Sequence, residues 1–184
     1  MELLDRLAGR LESLSEWSGR AVAWMTLAMV AITFAVVVLR YMFDTGWIAM
    51  QESITYLHSL VFLIGAAYTL RHDAHVRVDI FYRKMGERGR AWVDLIGSLV
   101  LLLPVCAYIL WSSWDYVTGS WAIRESSPEA GGLPWVYLLK TTLLVAPALL
   151  ILQGAARAAR CALFLGGYGA APTPAPPDEA SREL

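Results

Sequence analysis

Charged and histidine side chains inside apolar stretches are the residues of this chain that could most readily take part in chemistry or binding. Lys140 lies within an apolar run that starts at about Leu133. Glu52 lies at the edge of another apolar run, and His58 lies within that run. A charge at membrane depth is costly and is usually paired. Two interpretations of Lys140 follow: it forms an ion pair with Glu52, or its flexible stem carries the ammonium outward to water.

The positions of the three histidines limit which cofactors the chain could hold. Haem in a membrane bundle is commonly held by histidines from facing helices, and only His58 lies in an apolar run. The alternative function of a haem-carrying membrane anchor subunit of a redox complex therefore depends on one residue. His72 and His75 stand beside Asp73 and Asp79, but a hydrated charged loop is a simpler interpretation of this group than a metal site. The sequence predicts no metal and no cofactor.

Motifs for enzyme catalysis are lacking from the sequence. It contains no glycine-rich phosphate loop with its lysine and no nucleophile elbow, so neither an enzyme nor an ATP-driven pump is predicted. No catalytic and no substrate-binding residue is assigned. Charged residues make up 17% of the chain and the formal net charge is -1, which offers nucleic acid no basic surface. Cys106 and Cys161 lack metal-ligand spacing and are predicted to be free, buried thiols.

Four long apolar runs must position these side chains. They cover about residues 21–39, 53–70, 95–114 and 133–156, and 57% of all residues are hydrophobic. A helix rises ~1.5 Å per residue, so about 20 residues cross the ~30 Å hydrocarbon layer. We therefore predict an all-α membrane protein with four transmembrane helices within a domain of residues 19–160. Pro104 is expected to kink the third helix.

Segments outside the runs have their own patterns. Residues 1–18 place leucines at spacings of three and four, which predicts an N-terminal amphipathic helix in the membrane surface or against other protein. In the middle loop, residues 71–94, apolar residues alternate with charges, and a second interfacial helix is expected from about Val78. Residues 161–184 are rich in Gly, Pro and Ala and are predicted to form a disordered tail.

The distribution of lysine and arginine predicts the orientation in the membrane. The N-terminal arm, the middle loop and the C-terminal flank are rich in these residues, whereas the other two loops contain only Arg40 and Arg124. Because cytoplasmic loops carry the excess of basic residues, both termini and the middle loop are predicted to be cytoplasmic. The chain is expected to cross its membrane several times.

One segment resembles a known family. GAAYTLRHDAHVRVDIF, residues 65–81, together with Arg40-Tyr41 and the later Trp47…Gln51-Glu52, resembles the small membrane subunit of tripartite ATP-independent periplasmic (TRAP) transporters. The resemblance extends from about Trp24 to Gln153. The residues that carry most of it are Gly65, Ala66, Ala67, Arg71, His75, Val76, Val78 and Asp79.

This resemblance implies a function in a complex. Such a subunit is a scaffold beside a large permease subunit, which carries the substrate and sodium sites, and a periplasmic solute-binding protein delivers organic acids (carboxylates). Its other partner is the lipid bilayer, which the resemblance implies to be a bacterial inner membrane. A stand-alone small carrier working as an oligomer remains an alternative. The residues that the resemblance and the charge pattern mark for structural or interface roles are Arg40, Tyr41, Glu52, Gly65, Arg71, His75, Asp79 and Lys140.

Small residues on the second and fourth runs suggest where helices pack closely. Close packing in membranes uses Gly and Ala. The candidates either face the large subunit or pack within the chain's own bundle, and they are Gly65, Ala66, Ala67, Ala146, Ala148, Gly154 and Ala155.

Overall fold

The computed structural model describes residues 22, 24–76 and 80–169. Within these residues the chain is helical and contains no strand. Four helices are long and apolar enough to cross a membrane: α1 (Trp24–Met42), α2 (Ile48–Arg71), α3 (Glu87–Ala122) and α4 (Val136–Leu165). The predicted all-α fold with four spans is therefore confirmed.

The helix ends differ from the predicted ones because charged residues lie inside the helices. The apolar runs were bounded at Glu52 and at Arg157, but α2 begins at Ile48 and α4 continues to Leu165. The predicted tail therefore cannot begin at residue 161, since residues 161–165 are helical. A sequence window ends at a charge, whereas a helix continues through a charge that finds a partner.

The α2–α3 connector covers residues 72–86, and the interfacial helix expected there from about Val78 stays a prediction, because Val78 lies outside the described residues. Among its described residues the connector contains one 3₁₀ turn, Tyr82–Lys84. The helix that starts at Glu87 is part of α3. The expected amphipathic helix of residues 1–18, Asp79 and the last part of the predicted tail lie outside the described residues.

All four helices end in a residue of left-handed conformation followed by a return hydrogen bond; after α1, Asp44 has φ 50°, and the Thr45 N–H donates to Leu39 O at 3.0 Å. After α2, Asp73 has φ 52°, and the Ala74 N–H donates to Thr69 O at 3.0 Å. After α3, Arg124 has φ 46°, and the Glu125 N–H donates to Ser120 O. After α4 the same position is Gly167. This Schellman arrangement satisfies terminal carbonyls and fixes the direction in which the chain leaves each helix.

Helix α3 contains a π-helical segment, Gly97–Leu102. The segment ends two residues before Pro104, and its wide turn ends where the Leu103 N–H donates to Ser98 O. Pro104 has no N–H to donate, so the regular ladder is interrupted there in any case. On the facing helix, a Cβ added at Gly154 would lie 2.5 Å from Leu102 Cδ2, so α3 and α4 approach closely at this level.

Helix α4 is the centre of the bundle and packs against both α2 and α3. Its buried residues are mostly small, and Ala146 and Gly154 are among them. Ala67 of α2 is fully buried, and a Cβ on Gly65 would contact Val22. These small residues therefore pack within the chain, whereas Ala155 is exposed. Helix α1 turns large apolar side chains outward along its length, as lipid or a protein partner would require.

Candidate functional site: charged clusters at the two ends of the bundle

At one end of the bundle Arg157 joins three helices. Its Nη2 donates to Asp73 Oδ1 at 2.8 Å and to Asp94 Oδ2 at 2.9 Å. Its Nη1 donates to Leu70 O, near the end of α2, at 3.4 Å. The three charged side chains are at most 21% exposed. We call Arg157, Asp73 and Asp94 the Arg157 cluster.

Local structure explains why these groups meet. Asp73 occupies the left-handed position after α2, a conformation that Asp tolerates better than most residues, and the cap turns it toward α4. Asp94 lies two turns into α3 and also accepts from Tyr82 Oη at 2.8 Å. The cluster therefore ties α4 to the cap of α2 and, through Tyr82, to the connector.

The predicted motif residue His75 lies beside this cluster. Its Nε2 is 3.1 Å from Ala66 O, so the chain after α2 folds back along the helix. Arg71 is the last residue of α2. Together with the cluster and Ser98, His75 lines an open pocket of about 300 Å³ between α2, α3 and α4. The motif thus places its described polar residues at one helix end.

At the other end of the bundle Glu52 holds the α3–α4 loop, residues 123–135. Its Oε1 accepts from Ser127 Oγ, and its Oε2 accepts from the Leu133 N–H at 2.7 Å. A Cβ added at Gly132 would lie 2.5 Å from Ser127 Oγ and 2.8 Å from Glu52 Oε1. Only glycine leaves room for this contact.

The predicted ion pair between Lys140 and Glu52 is wrong. Lys140 Nζ instead lies 2.5 Å from Glu125 Oε2 and 4.0 Å from the centre of the Tyr116 ring. The cap after α3 directs Glu125 toward the start of α4, and the loop already satisfies Glu52. The hydrogen bond from Lys140, with a smaller one from Ser120, holds the pKa of the Glu125 carboxyl below its usual value.

The remaining predicted residues are not brought together. Arg40 and Tyr41 lie near the end of α1 with exposed side chains. Gly65 faces Val22 in the last third of α2. Asp79 lies outside the described residues.

Sequence reasoning missed Arg157, Asp73, Asp94, Glu125 and Ser127. One signal was available: Arg157 interrupts a long helix among small residues, AARAAR, where a charge needs a partner. No sequence signal identified which carboxylate would meet it.

The histidines do not form a facing pair. His58 lies in the middle of α2, and His72 and His75 follow the end of the same helix. Fourteen residues of helix separate His58 from His72 by about 21 Å. A bis-histidine haem within the bundle would therefore need its second ligand from another chain. In the described part of the chain no three His, Cys, Asp or Glu residues form a potential metal site.

Comparison with known proteins agrees with this architecture. The chain matches the family of tripartite ATP-independent periplasmic transporters, DctQ component, over residues 29–163. It is 26% identical over 115 residues to a TRAP transporter small permease protein of Haemophilus influenzae, covering 60% of this chain and 66% of the relative. It is 26% identical over 95 residues to the C4-dicarboxylate TRAP transporter small permease protein DctQ of Vibrio cholerae, covering 52% of this chain and 40% of the relative.

The matched part of the chain thus spans less than two thirds of either relative's length. No solved structure matches the chain. The family match nevertheless covers most of the sequence and includes all of α2 and α3, both charged clusters and the α3–α4 loop. The chain therefore belongs to the DctQ family and is a small permease subunit of a TRAP transporter.

Proposed function

We propose that the chain is the static scaffold subunit of a sodium-driven importer of organic acids. It acts beside a large permease subunit and with a periplasmic solute-binding protein, in a bacterial inner membrane with both termini in the cytoplasm. The observation that carries this proposal is that the charged side chains in and beside the helices have partners within the same chain. Arg157, Glu52 and Lys140 are each bound by other groups of the same chain, so they hold helices and loops together.

A carrier needs the opposite arrangement. Its binding groups lie near the middle of the membrane, at broken helices, and must exchange partners during transport. Here the Arg157 cluster and the ion pair of Lys140 with Glu125 lie toward opposite ends of α4, which suits a rigid support. The name of the Vibrio cholerae relative makes C4-dicarboxylates the first substrates to test.

Reconstitution of the full complex tests this function. Proteoliposomes that contain this chain, the large permease subunit and the binding protein are expected to accumulate a labelled organic acid only with a sodium gradient. Omission of this chain should abolish uptake, and this chain alone should show none. Solute uptake by the chain alone, or undiminished uptake without it, would refute the scaffold proposal.

The family-motif residues are proposed to support the exit of α2 from the membrane. His75 already contacts the helix at Ala66 O, and Asp79 follows shortly after it in the chain. Asp79→Ala is therefore expected to lower the amount of complex that is recovered with the large subunit. Normal assembly combined with lost uptake would instead indicate a direct role in transport.

A further inference from the structure

From Arg90 onward, the first part of α3 has its polarity reversed relative to a water-soluble helix. Arg90 is only 3% exposed, Ala91 is fully buried, and Asp94 points into the Arg157 cluster. On the outside, Trp92 is 54% and Ile96 52% exposed. A helix that turns its charges inward and its large apolar side chains outward lies next to an apolar environment.

The polarity of the outward side chains also changes stepwise along the helix axis. Arg88, Trp92 and Ile96 follow one another at intervals of four residues, so they share one face and are about 6 Å apart along the axis. All three are exposed. The order of cation, indole and aliphatic chain matches the order of phosphate layer, interface and hydrocarbon in a bilayer.

The 3₁₀ turn before α3 continues this pattern. Ile80 is 65% and Phe81 73% exposed, and Lys84 is exposed next to them. Among the exposed side chains of residues 80–92, Lys84 and Arg88 are basic and Glu87 is acidic. The turn is held in place, because Tyr82 donates to Asp94 of the Arg157 cluster. Its apolar groups are therefore presented at a fixed position relative to the helices.

The lengths of the helices place this segment at the membrane surface. Helix α3 has 36 residues, or about 54 Å, which exceeds the ~30 Å hydrocarbon layer. The excess must lie in the headgroup layers or beyond. Helix α2 ends at Arg71 on the same end of the bundle, where the Arg157 cluster joins it to α3 and α4.

We propose that residues 80–92 form an anchor for anionic lipid. In this anchor Ile80, Phe81 and Trp92 enter the boundary of the acyl chains, while Lys84 and Arg88 bind lipid phosphates. Lipid fits this surface better than a protein partner does, because lysine is depleted from the cores of protein interfaces and the polarity changes in step with depth. The inference is independent of what the transporter carries.

Depth measurements test the anchor in the full chain. A fluorophore is attached to Phe81→Cys in nanodiscs of phosphatidylcholine mixed with phosphatidylglycerol; the native Cys106 and Cys161 are buried and serve as the unlabelled background. We expect quenching by lipids brominated on the acyl chain and protection from aqueous iodide. Quenching by iodide without quenching by brominated lipid would overturn the proposal. The proposal would also be overturned if the fluorophore were shielded from both quenchers only when the large subunit is co-purified with the chain.

Lipid retention tests the basic residues without relying on the label. The double variant Lys84→Gln, Arg88→Gln is expected to lose retained phosphatidylglycerol, with affinity falling about fivefold for each charge removed. Arg124→Gln removes an exposed basic residue at the other end of the bundle and should retain the wild-type amount. Equal retention by the double variant and the wild type, measured by mass spectrometry after purification, would also overturn the proposal.

Discussion

Replacement of Arg157 by methionine should destabilise the chain strongly although methionine suits a membrane helix. The variant keeps a long apolar stem but leaves Asp73 and Asp94 without the guanidinium that both carboxylates contact at 2.8 and 2.9 Å. The carboxylates are 21% and 9% exposed, so water can replace the lost donor only in part. The destabilisation comes from the loss of these charged hydrogen bonds rather than from lost packing.

The size of the effect follows from the number of bonds. A hydrogen bond to a charged group contributes about 1.5–3 kcal/mol, and removal of one partner from a buried ion pair costs about 3–5 kcal/mol. Because Asp73 is partly hydrated, we expect Arg157→Met to lower the free energy of unfolding by about 3 kcal/mol. A triple variant that adds Asp73→Asn and Asp94→Asn removes all three charges of the cluster and should lie within about 1 kcal/mol of the wild type.

The assay is equilibrium unfolding of the purified chain in mild detergent, titrated with dodecyl sulfate and followed by circular dichroism. Arg40→Met is the matched control, since it removes the same charge from an exposed position on α1 and should leave the midpoint unchanged. The reasoning fails if Arg157→Met unfolds like this control. It also fails if the triple variant is no more stable than the single one.

The same titration checks three further expectations. Gly132→Ala should cost about 1–3 kcal/mol, because the added Cβ would collide with the contact that Glu52 makes to the loop, whereas Gly46→Ala meets no atom within 4 Å and should be neutral; equal effects of the two would exclude the steric explanation. Arg124→Gly should raise the free energy of unfolding by up to about 1 kcal/mol by relieving the left-handed backbone, and a loss would show that the side chain contributes instead. The pKa of Glu125 is lower in the folded chain than its usual value of 4.5, so its stabilisation is complete above that pH and disappears as the pH falls through the folded pKa. The stability difference between the wild type and Glu125→Gln should therefore be constant from pH 7 to about pH 5 and shrink below; a difference that does not change with pH would contradict the ion pair.

The four helices could be predicted because membrane insertion depends on local composition. Each run is long enough to cross the hydrocarbon by itself, and no knowledge of its neighbours is needed to recognise it. The ends were harder to predict, since Glu52 and Arg157 lie inside helices and their cost depends on partners from other parts of the chain. A rule that stops at the first charge therefore shortens both α2 and α4.

The partners of the charges could not be predicted, because they depend on how helices end. Lys140 and Glu52 lie at the same end of the bundle, and the sequence suggested that they meet. The cap after α3 instead brings Glu125 to Lys140, and it depends on a left-handed backbone at Arg124, a residue with no special tendency toward that conformation. Likewise, the cap at Asp73 decides that this carboxylate reaches α4.

The wide turn of α3 at Gly97–Leu102 determines which way the side chains of the preceding segment, Glu87–Ile96, face. Each residue of an α-helix advances by about 100° around the axis, so a single extra residue in the turn rotates the preceding ten-residue segment by that angle. Deletion of one residue there would turn Asp94 away from α4 and put Val93 in its inward position. One irregular turn thus determines how the whole N-terminal third of α3 is rotated about the helix axis.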